Sequence, residues 1–347
     1  MKILLYSDLH ISKTSSILPL NFSMSKFSFR QNMIIETGKF LVEKAKEYDV
    51  DLIINLGDTF DVHTITSYDV TTAGEFFKCF AELDKPHFVV VGNHEMINQD
   101  FNAIAMLDNV SNITIIKDPI SIELSGIKFA FLPYCNYRDI LEFPDGDILF
   151  SHQDIQGSKL RGDIVLEEGI KPDILKKKYK LVFNGHIHKS SIIDNVVNVG
   201  SITTHSFADD EESIPQCYIY NTDTMELTPI KSNICPLFRK FSIGTLDELE
   251  AYIFNLNKNY NYIINCTCPF DLKDSVKEYL TNCEYVLNFK LSVTVDKNKQ
   301  KLEDEDLILQ KSNIDIIKSF KEFLNTVELK FPKELYFTVL DDMDGVV

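Results

Sequence analysis

The sequence predicts an α/β layered fold followed by a small α+β unit. Three observations carry that expectation. Short apolar runs of strand length alternate with helical patterns through the first two thirds of the chain. Those runs are apolar along their whole length, as strands buried on both faces are. Near Pro236 the pattern changes, and helix and strand candidates recur in a shorter unit.

The strand candidates in the first part are residues 3–6, 52–56, 88–91, 129–132, 148–150, 181–183 and 196–199. Between the first two, residues 32–48 place Ile34, Ile35, Phe40, Leu41, Val42 and Ala45 on one approximate helical face. Residues 67–83 and 102–107 are further helix candidates, and Lys176 to Lys178 read as a solvated turn. Fewer helices accompany the later strands, which predicts a mixed sheet. In the second unit, residues 246–256 and 275–280 read as helices, and residues 262–266 and 285–295 as strands. Residues 296–306 are charged and read as a linker. Beyond them Ile314, Ile317, Phe320, Leu324 and Val327 recur at steps of three or four, which makes one apolar helix face. That face either packs on its own domain or docks in a partner's groove. The expected division is a domain over residues 1–235, a small domain over 236–296, and a linker with a helical segment over 297–347.

Composition removes several function classes. The 347 residues carry 35 lysines and arginines against 52 aspartates and glutamates, a net charge of −17. Nonspecific nucleic-acid binding depends on basic residues neutralising phosphate, so a histone-like or basic-arm binder is excluded. A polybasic membrane-surface protein is excluded for the same reason. The hydrophobic fraction of 44% and charged fraction of 25% are those of a globular protein. No stretch approaches the ~18 apolar residues of a membrane span, and the first apolar run is too short for a secretory signal. Seven cysteines without zinc-knuckle or redox spacing fit reduced thiols in the cytoplasm.

The chemistry lies where the strand candidates end. The first ends in Ser7-Asp8-Leu9-His10, the second in Gly57-Asp58-Thr59-Phe60-Asp61, and the third in Gly92-Asn93-His94-Glu95. Later runs end in Ser151-His152, in Asn184-Gly185-His186-Ile187-His188 and in Gly200-Ser201. Functional groups of α/β sheets sit on loops past the carboxyl ends of strands. Of the eight histidines in the chain, His10, His94, His152, His186 and His188 all lie in these loops. Aspartate, histidine and asparagine without cysteine suit borderline-hard divalent ions. Asp8, His10, Asp58, Asn93, His152, His186 and His188 are too many ligands for one ion and enough for two. Two such ions about 3.5–4 Å apart are the standard arrangement for hydrolysing phosphate esters.

In this order, D-x-H, G-D-x-F-D, G-N-H-E, S-H and G-H-x-H resemble the motif set of the calcineurin-like metallophosphoesterases. The resemblance covers residues 1–235 and is nearest to the SbcD-type nuclease subunits of double-strand-break repair and recombination, with their tailed-phage counterparts. It implies a β-sandwich core flanked by helices, with a small capping domain that shapes DNA access. It also implies that Asp8, His10 and His188 hold one metal, that Asn93, His152 and His186 hold the other, and that Asp58 bridges. Manganese is the first expectation for the metals, and magnesium the alternative. His94 would stabilise the transition state or protonate the leaving 3′ oxygen. Asp61 and Glu95 would support the ligands from behind. Lys13, Arg30, Lys159, Arg161 and Lys189 are the candidates for DNA contact, with a solvated Arg30 at a helix start equally open. His63 and His205 read as exposed loop residues, and His87 as structural.

The resemblance further implies a homodimer working on DNA with an SMC-like ATPase of the SbcC type, docked through the helix around Ile314 to Val327. Two departures blur the subfamily. Repair nucleases usually carry aspartate at the position of Glu95, and often proline at the position of Ile202. The rivals are a phosphomonoesterase or small-molecule phosphodiesterase on the same metal core, and a non-catalytic scaffold. The missing arginine after the second motif and the C-terminal extension count against the first. Turnover of duplex DNA, and its sensitivity to replacement of His94, separates all three.

Overall fold

A computed structural model describes residues 1–12, 27–61, 64–96, 104, 107, 112–135, 143–160, 164–204, 207 and 213–294. Strand β1 (Lys2–Tyr6) is buried on both faces: Ile3 and Leu5 enter one core, Leu4 and Tyr6 another. Helix α1 (Phe29–Glu47) begins earlier than its apolar periodicity suggests. The reason is a capping box. The Ser28 hydroxyl accepts from the Gln31 N–H, and the Gln31 side chain accepts from the Ser28 N–H, which satisfies two amides that the helix leaves open.

Strand β2 (Leu52–Asn55) follows, then α2 (Ser67–Lys78), capped by Thr66 with Asp69. The helical pattern expected to reach Leu83 breaks after Lys78 and resumes as a single 3-10 turn, Ala81–Leu83. Strands β3 (His87–Val90) and β4 (Ile113–Ile116) extend the sheet. Of the third helix candidate only Ile104 and Leu107 fall among the described residues, and both are buried.

The next strands are β5 (Ile120–Leu124), β6 (Ile127–Leu132) and β7 (Ile148–Ser151). Helix α3 (Pro172–Lys178) takes in Lys176, Lys177 and Lys178, so the expected solvated turn is the last turn of a helix. Three cations there face the negative end of its dipole. Strands β8 (Leu181–Asn184), β9 (Ser191–Ile193) and β10 (Val196–Asn198) complete this part. The hairpin of β11 (Gln216–Asn221) and β12 (Glu226–Lys231) was not legible in the sequence. It returns the chain to the first sheet, with β11 antiparallel beside β1.

Two six-stranded sheets result, in the orders β12-β11-β1-β2-β3-β4 and β5-β6-β7-β8-β10-β9. Both are mixed. The strands β1 to β4 run parallel, as do β6, β7, β8 and β10. Ile3, Leu5, Ile54 and Val90 from one sheet pack with Phe129, Phe131, Phe150 and Phe183 from the other, which makes the sandwich core. Helices α1 and α2 cover the outer face of the first sheet through Ile34, Leu41, Phe76 and Phe77. Leu175 and Tyr179 cover the second.

The remaining described residues form β13 (Leu237–Ser242), α4 (Leu246–Phe254), β14 (Tyr262–Pro269), α5 (Lys273–Asn282) and β15 (Val286–Thr294). Their three strands pair in parallel in the order β13-β14-β15. Strand β13 was missed because Arg239 and Lys240 interrupt its apolar run, leaving only Leu237 and Phe238 in sequence. Leu249, Ile253, Ile264, Val276, Leu280 and Leu291 build a core of its own. Met33 of α1 meets Cys235, Phe238 and Ile263 in a separate apolar cluster that joins this unit to the sandwich. The helix expected around Ile314 to Val327 lies outside the described residues. All seven cysteines are free thiols. Among the described residues no helix is long and apolar enough to cross a membrane.

Candidate metal centre

The parallel strands β1, β2 and β3 of one sheet, and β7 and β8 of the other, release their loops at the same end of the sandwich. Those loops turn sharply. Asp8, His10, Asp58 and His186 all adopt left-handed backbone, with φ of 53°, 47°, 50° and 71°. Such residues cost on the order of 1–3 kcal/mol each and persist only where their surroundings fix them. Here neighbouring loops fix one another: Asp8 N–H donates to Gly57 O at 3.0 Å, and His10 N–H to Asp58 O at 2.9 Å. Gly92 and Gly185 make that closeness possible. A Cβ on Gly92 would collide with the Asp58 carboxylate, and one on Gly185 with Ser7 Oγ, Leu56 O and the His152 ring.

A continuous chain of potential ligand atoms crosses the floor of the site. His188 Nε2 lies 3.8 Å from Asp8 Oδ1 and 3.1 Å from His10 Nε2. His10 Nε2 is 3.7 Å from Asp58 Oδ2, which is 3.2 Å from His152 Nε2. Asn93 Oδ1 closes the far side, 3.0 Å from His152 Nε2 and 2.9 Å from His186 Nδ1. Asp8, His10 and His188 form one group able to hold a metal ion; Asp58, His152 and His186 form another; His10, Asp58 and His94 form a third. Asp58 belongs to two of these groups and stands between the outer histidines.

The donor set fits cations. Asp8 is fully buried, yet neither of its oxygens accepts a hydrogen bond. Burying an uncompensated carboxylate costs several kcal/mol. The nearest positive partners, His10 and His188, stand at 3.9 and 3.8 Å from Oδ1. That is beyond a hydrogen bond but suits two ligands of one ion, each ~2.1 Å from it. The electrostatics agree. Burial opposes ionisation of Asp58, but the charges of His152 and His10 outweigh it and hold its pKa well below the usual carboxylate range. Burial likewise lowers His10 and His152, yet Asp61, Asp8 and Asp58 raise His10 to about 10, and Asp58 foremost raises His152 to about 9. The cluster draws positive charge inward.

The ring orientations are set from behind. His152 Nδ1 is 2.7 Å from Leu56 O, and a carbonyl only accepts, so Nδ1 keeps its proton and Nε2 is the nitrogen turned to the centre. His94 Nδ1 donates in the same way to Asp61 O at 2.7 Å, while the His94 N–H donates to Asp58 Oδ1 at 3.0 Å. Asp61 Oδ1 stands 3.3 Å from His10 Nδ1. The His94 ring lies across the His10 ring, with centroids 4.8 Å apart. Glu95 is buried, and its carboxylate gathers three amides, those of Asp58 (3.2 Å), Phe60 (2.8 Å) and Gly92 (2.7 Å). Burial first, and the charge of Asp58 second, push its pKa up to about 7.

The seven expected ligands and His94 are thus brought together, with Asp61 and Glu95 behind them. The surrounding basic residues fare differently. Arg30 is 3% exposed, and its guanidinium donates to the carbonyls of Thr204, His10 and Leu9 and to Thr203 Oγ1. It is neither solvated nor presented to a DNA backbone, because four loop acceptors consume it. Lys159 is exposed and Lys189 half-buried beside His188. Lys13 and Arg161 lie outside the described residues, as do His63 and His205. His87 is buried against Tyr6, as a structural histidine is.

Sequence reasoning missed Asp154. Its carboxylate stands 3.0 Å from His186 Nε2 and fixes that ring with Nδ1 facing Asn93. The signal was present as an acid two residues after His152. It also missed Tyr134, whose ring centroid is 5.8 Å from that of His186, and Asn184. The latter joins the strand ends by bonding Ser151, Gln153 and Asn198.

A sequence profile of the family described as calcineurin-like phosphoesterase matches residues 1–190, more than half of the chain. The chain belongs to that family. The calcineurin-like phosphoesterase match spans every loop of the site from Asp8 to His188. Three relatives extend the comparison. The probable exonuclease subunit 1 of Escherichia phage T5 is 24% identical over 265 residues, 72% of this chain and 75% of that protein. Exonuclease subunit 1 of Enterobacteria phage T4 is 25% identical over 210 residues, 57% of this chain and 61% of that one. A putative phosphoesterase of Invertebrate iridescent virus 3 is 29% identical over 180 residues, 47% of this chain and only 51% of its own length.

Proposed function

We propose that this calcineurin-like phosphoesterase is a metal-dependent DNA nuclease subunit that hydrolyses phosphodiester bonds. The observation that carries the reading is Asp58, one carboxylate set between a group built on Asp8, His10 and His188 and a group built on His152 and His186. Asp8, His10 and His188 would hold one divalent ion, Asn93, His152 and His186 the other, and Asp58 both. Manganese comes first, with magnesium as the alternative. When bound, two such ions supply Lewis-acid charge and lower the pKa of water.

The chain's own residues do the rest. Asp154, Leu56 O and Asp61 orient the rings, and Glu95 locks the Asp58 loop to Gly92. A water oxygen attacks phosphorus, the bond to the 3′ oxygen breaks, and His94 delivers a proton to that leaving oxygen. His94 is suited to this because Asp61 O fixes its ring through Nδ1 and its backbone N–H ties it to the central Asp58 carboxylate. A nuclease role is favoured by the names of the T5 and T4 relatives, both exonuclease subunits, and DNA is the substrate class we propose for it. Those names also speak of subunits. The assembly we propose is a homodimer with an SMC-like ATPase, docked through residues 314–327, with the unit built on β13 to β15 capping DNA access. A net charge of −17 then assigns most DNA affinity to that assembly, with Lys13, Lys159, Arg161 and Lys189 as local phosphate contacts.

The test is end-labelled duplex DNA incubated with the purified protein and Mn²⁺ or Mg²⁺, with and without the ATPase, alongside His94→Ala. Cleavage that the substitution abolishes is the expected result. Robust phosphomonoesterase turnover without DNA cleavage would overturn the proposal.

A further inference from the structure

The buried Arg30 opens α1, where a cation meets the positive end of the helix dipole. Helix formation therefore does not explain it. Its guanidinium donates through one nitrogen to Thr204 O at 2.8 Å, and through the other to His10 O at 3.1 Å, Leu9 O at 3.3 Å and Thr203 Oγ1 at 3.3 Å. Two hydroxyls converge on the same backbone. Ser201 Oγ shares its one proton between Thr203 O at 2.5 Å and Asp8 O at 2.7 Å, and Thr203 Oγ1 donates to Leu9 O at 2.9 Å. Ile202 N–H donates to Ser7 O at 3.0 Å. Four consecutive carbonyls, from Ser7 to His10, are thus held by one segment and one side chain.

Those carbonyls need donors. Left-handed residues at Asp8 and His10 take the chain out of any ladder, and buried backbone acceptors must be satisfied. A planar guanidinium carries five donors in a fixed fork and no acceptor, so it can bridge several carbonyls at once. We infer that Arg30, Ser201 and Thr203 form a positioning clamp that sets the left-handed backbone of Asp8 and His10 and so aims both side chains at the first metal. The clamp deepens the metal-centre reading and rests on it. It leaves Asn93, His152 and His186 untouched, because they hang from other strands. It also accounts for the Gly200-Ser201-Ile202 segment, in which Ser201 supplies a hydroxyl and Ile202 an amide that proline would lack.

Two measurements test this on the full chain. The first is amide hydrogen exchange of residues 8–11 in metal-free protein. The second is a Mn²⁺ binding isotherm that resolves two ions. In Arg30→Met, exchange of residues 8–11 rises, one ion binds about 10–100-fold more weakly, and the other binds as in wild type. Arg30→Lys restores part of both. Should Arg30→Met fail to fold, Ser201→Ala and Thr203→Val remove single donors and shift the same two readouts in the same direction. Unchanged exchange in a folded variant, or equal weakening of both ions, overturns the clamp. A wild-type chain that binds no Mn²⁺ refutes the metal centre instead, while the exchange measurement still decides the clamp.

Discussion

His87 makes the sandwich sensitive to acid. It is 2% exposed, on β3, with its ring against those of Tyr6, Phe77 and Phe80 at 5.8, 5.6 and 4.8 Å. Its Nε2 shares a hydrogen bond of 3.0 Å with the Tyr6 hydroxyl, and its Nδ1 has no partner. Burial lowers its pKa from 6.5 to about 3. The folded state therefore keeps the ring neutral at a pH where the unfolded chain takes up a proton. Its contribution is fully present above about pH 6.5 and is lost as pH falls toward 3. Each pH unit in that window is worth about 1.4 kcal/mol. At pH 5 the loss is about 2 kcal/mol, and it approaches about 5 kcal/mol near pH 3. His87→Phe keeps a ring in the cage but cannot take up a proton. It removes the Tyr6 hydroxyl's bond to His87 but leaves that hydroxyl its bond to Asn55, a penalty of about 1 kcal/mol at every pH. The assay is urea unfolding at about pH 8 and pH 5, with chelator present so that metal binding adds no pH dependence. Far-UV circular dichroism is the probe, because the chain has no tryptophan. Wild type should lose about 2 kcal/mol more than His87→Phe over that interval. Equal losses in the two proteins would refute the reasoning.

Four further outcomes follow, three of them from the site. Gly185→Ala should cut turnover by about 100-fold, since its Cβ would displace the His152 ring, and lower stability by about 1–3 kcal/mol. Gly74→Ala, on α2 with nothing within 4 Å of the new Cβ, should instead stabilise by about 0.5–1 kcal/mol and leave turnover unchanged. Asp154→Ala frees the His186 ring and should weaken one Mn²⁺ by about 10–100-fold in a binding isotherm; an unaltered isotherm would deny Asp154 its role. Saturating Mn²⁺ should raise the melting temperature, by the equivalent of about 2.7 kcal/mol at 100 times Kd, and Asp58→Ala should abolish most of that gain.

Much of the site was legible because each ligand sits directly after a strand-length apolar run. Composition and order within the chain were enough to collect Asp8, Asp58, Asn93, His152, His186 and His188. Elements with weaker local signals were lost. Charged or polar residues interrupt or end the apolar runs of strand β13 and the β11–β12 hairpin, and partner strands rather than their own propensity decide them. The start of α1 was misplaced because its capping box lies outside the apolar periodicity. Arg30 was misjudged for a related reason. Charge suggests solvent, and only the folded chain shows four acceptors closing around it.

The sequence by itself determined the layered α/β class, the number and identity of the chemistry-bearing loops, and the kind of ion they suit. Local hydrophobic runs and residue types carry that information, and they survive without knowledge of contacts. The tertiary structure alone decided which loops touch. It put His10 beside His188 across 178 positions of chain and left the Asp8 carboxylate buried without a hydrogen bond. It also turned Arg30 from a surface cation into a buried donor. Those outcomes depend on the stacking of two sheets and on left-handed turns at their ends. No local pattern encodes the donors that arrive from two hundred residues away.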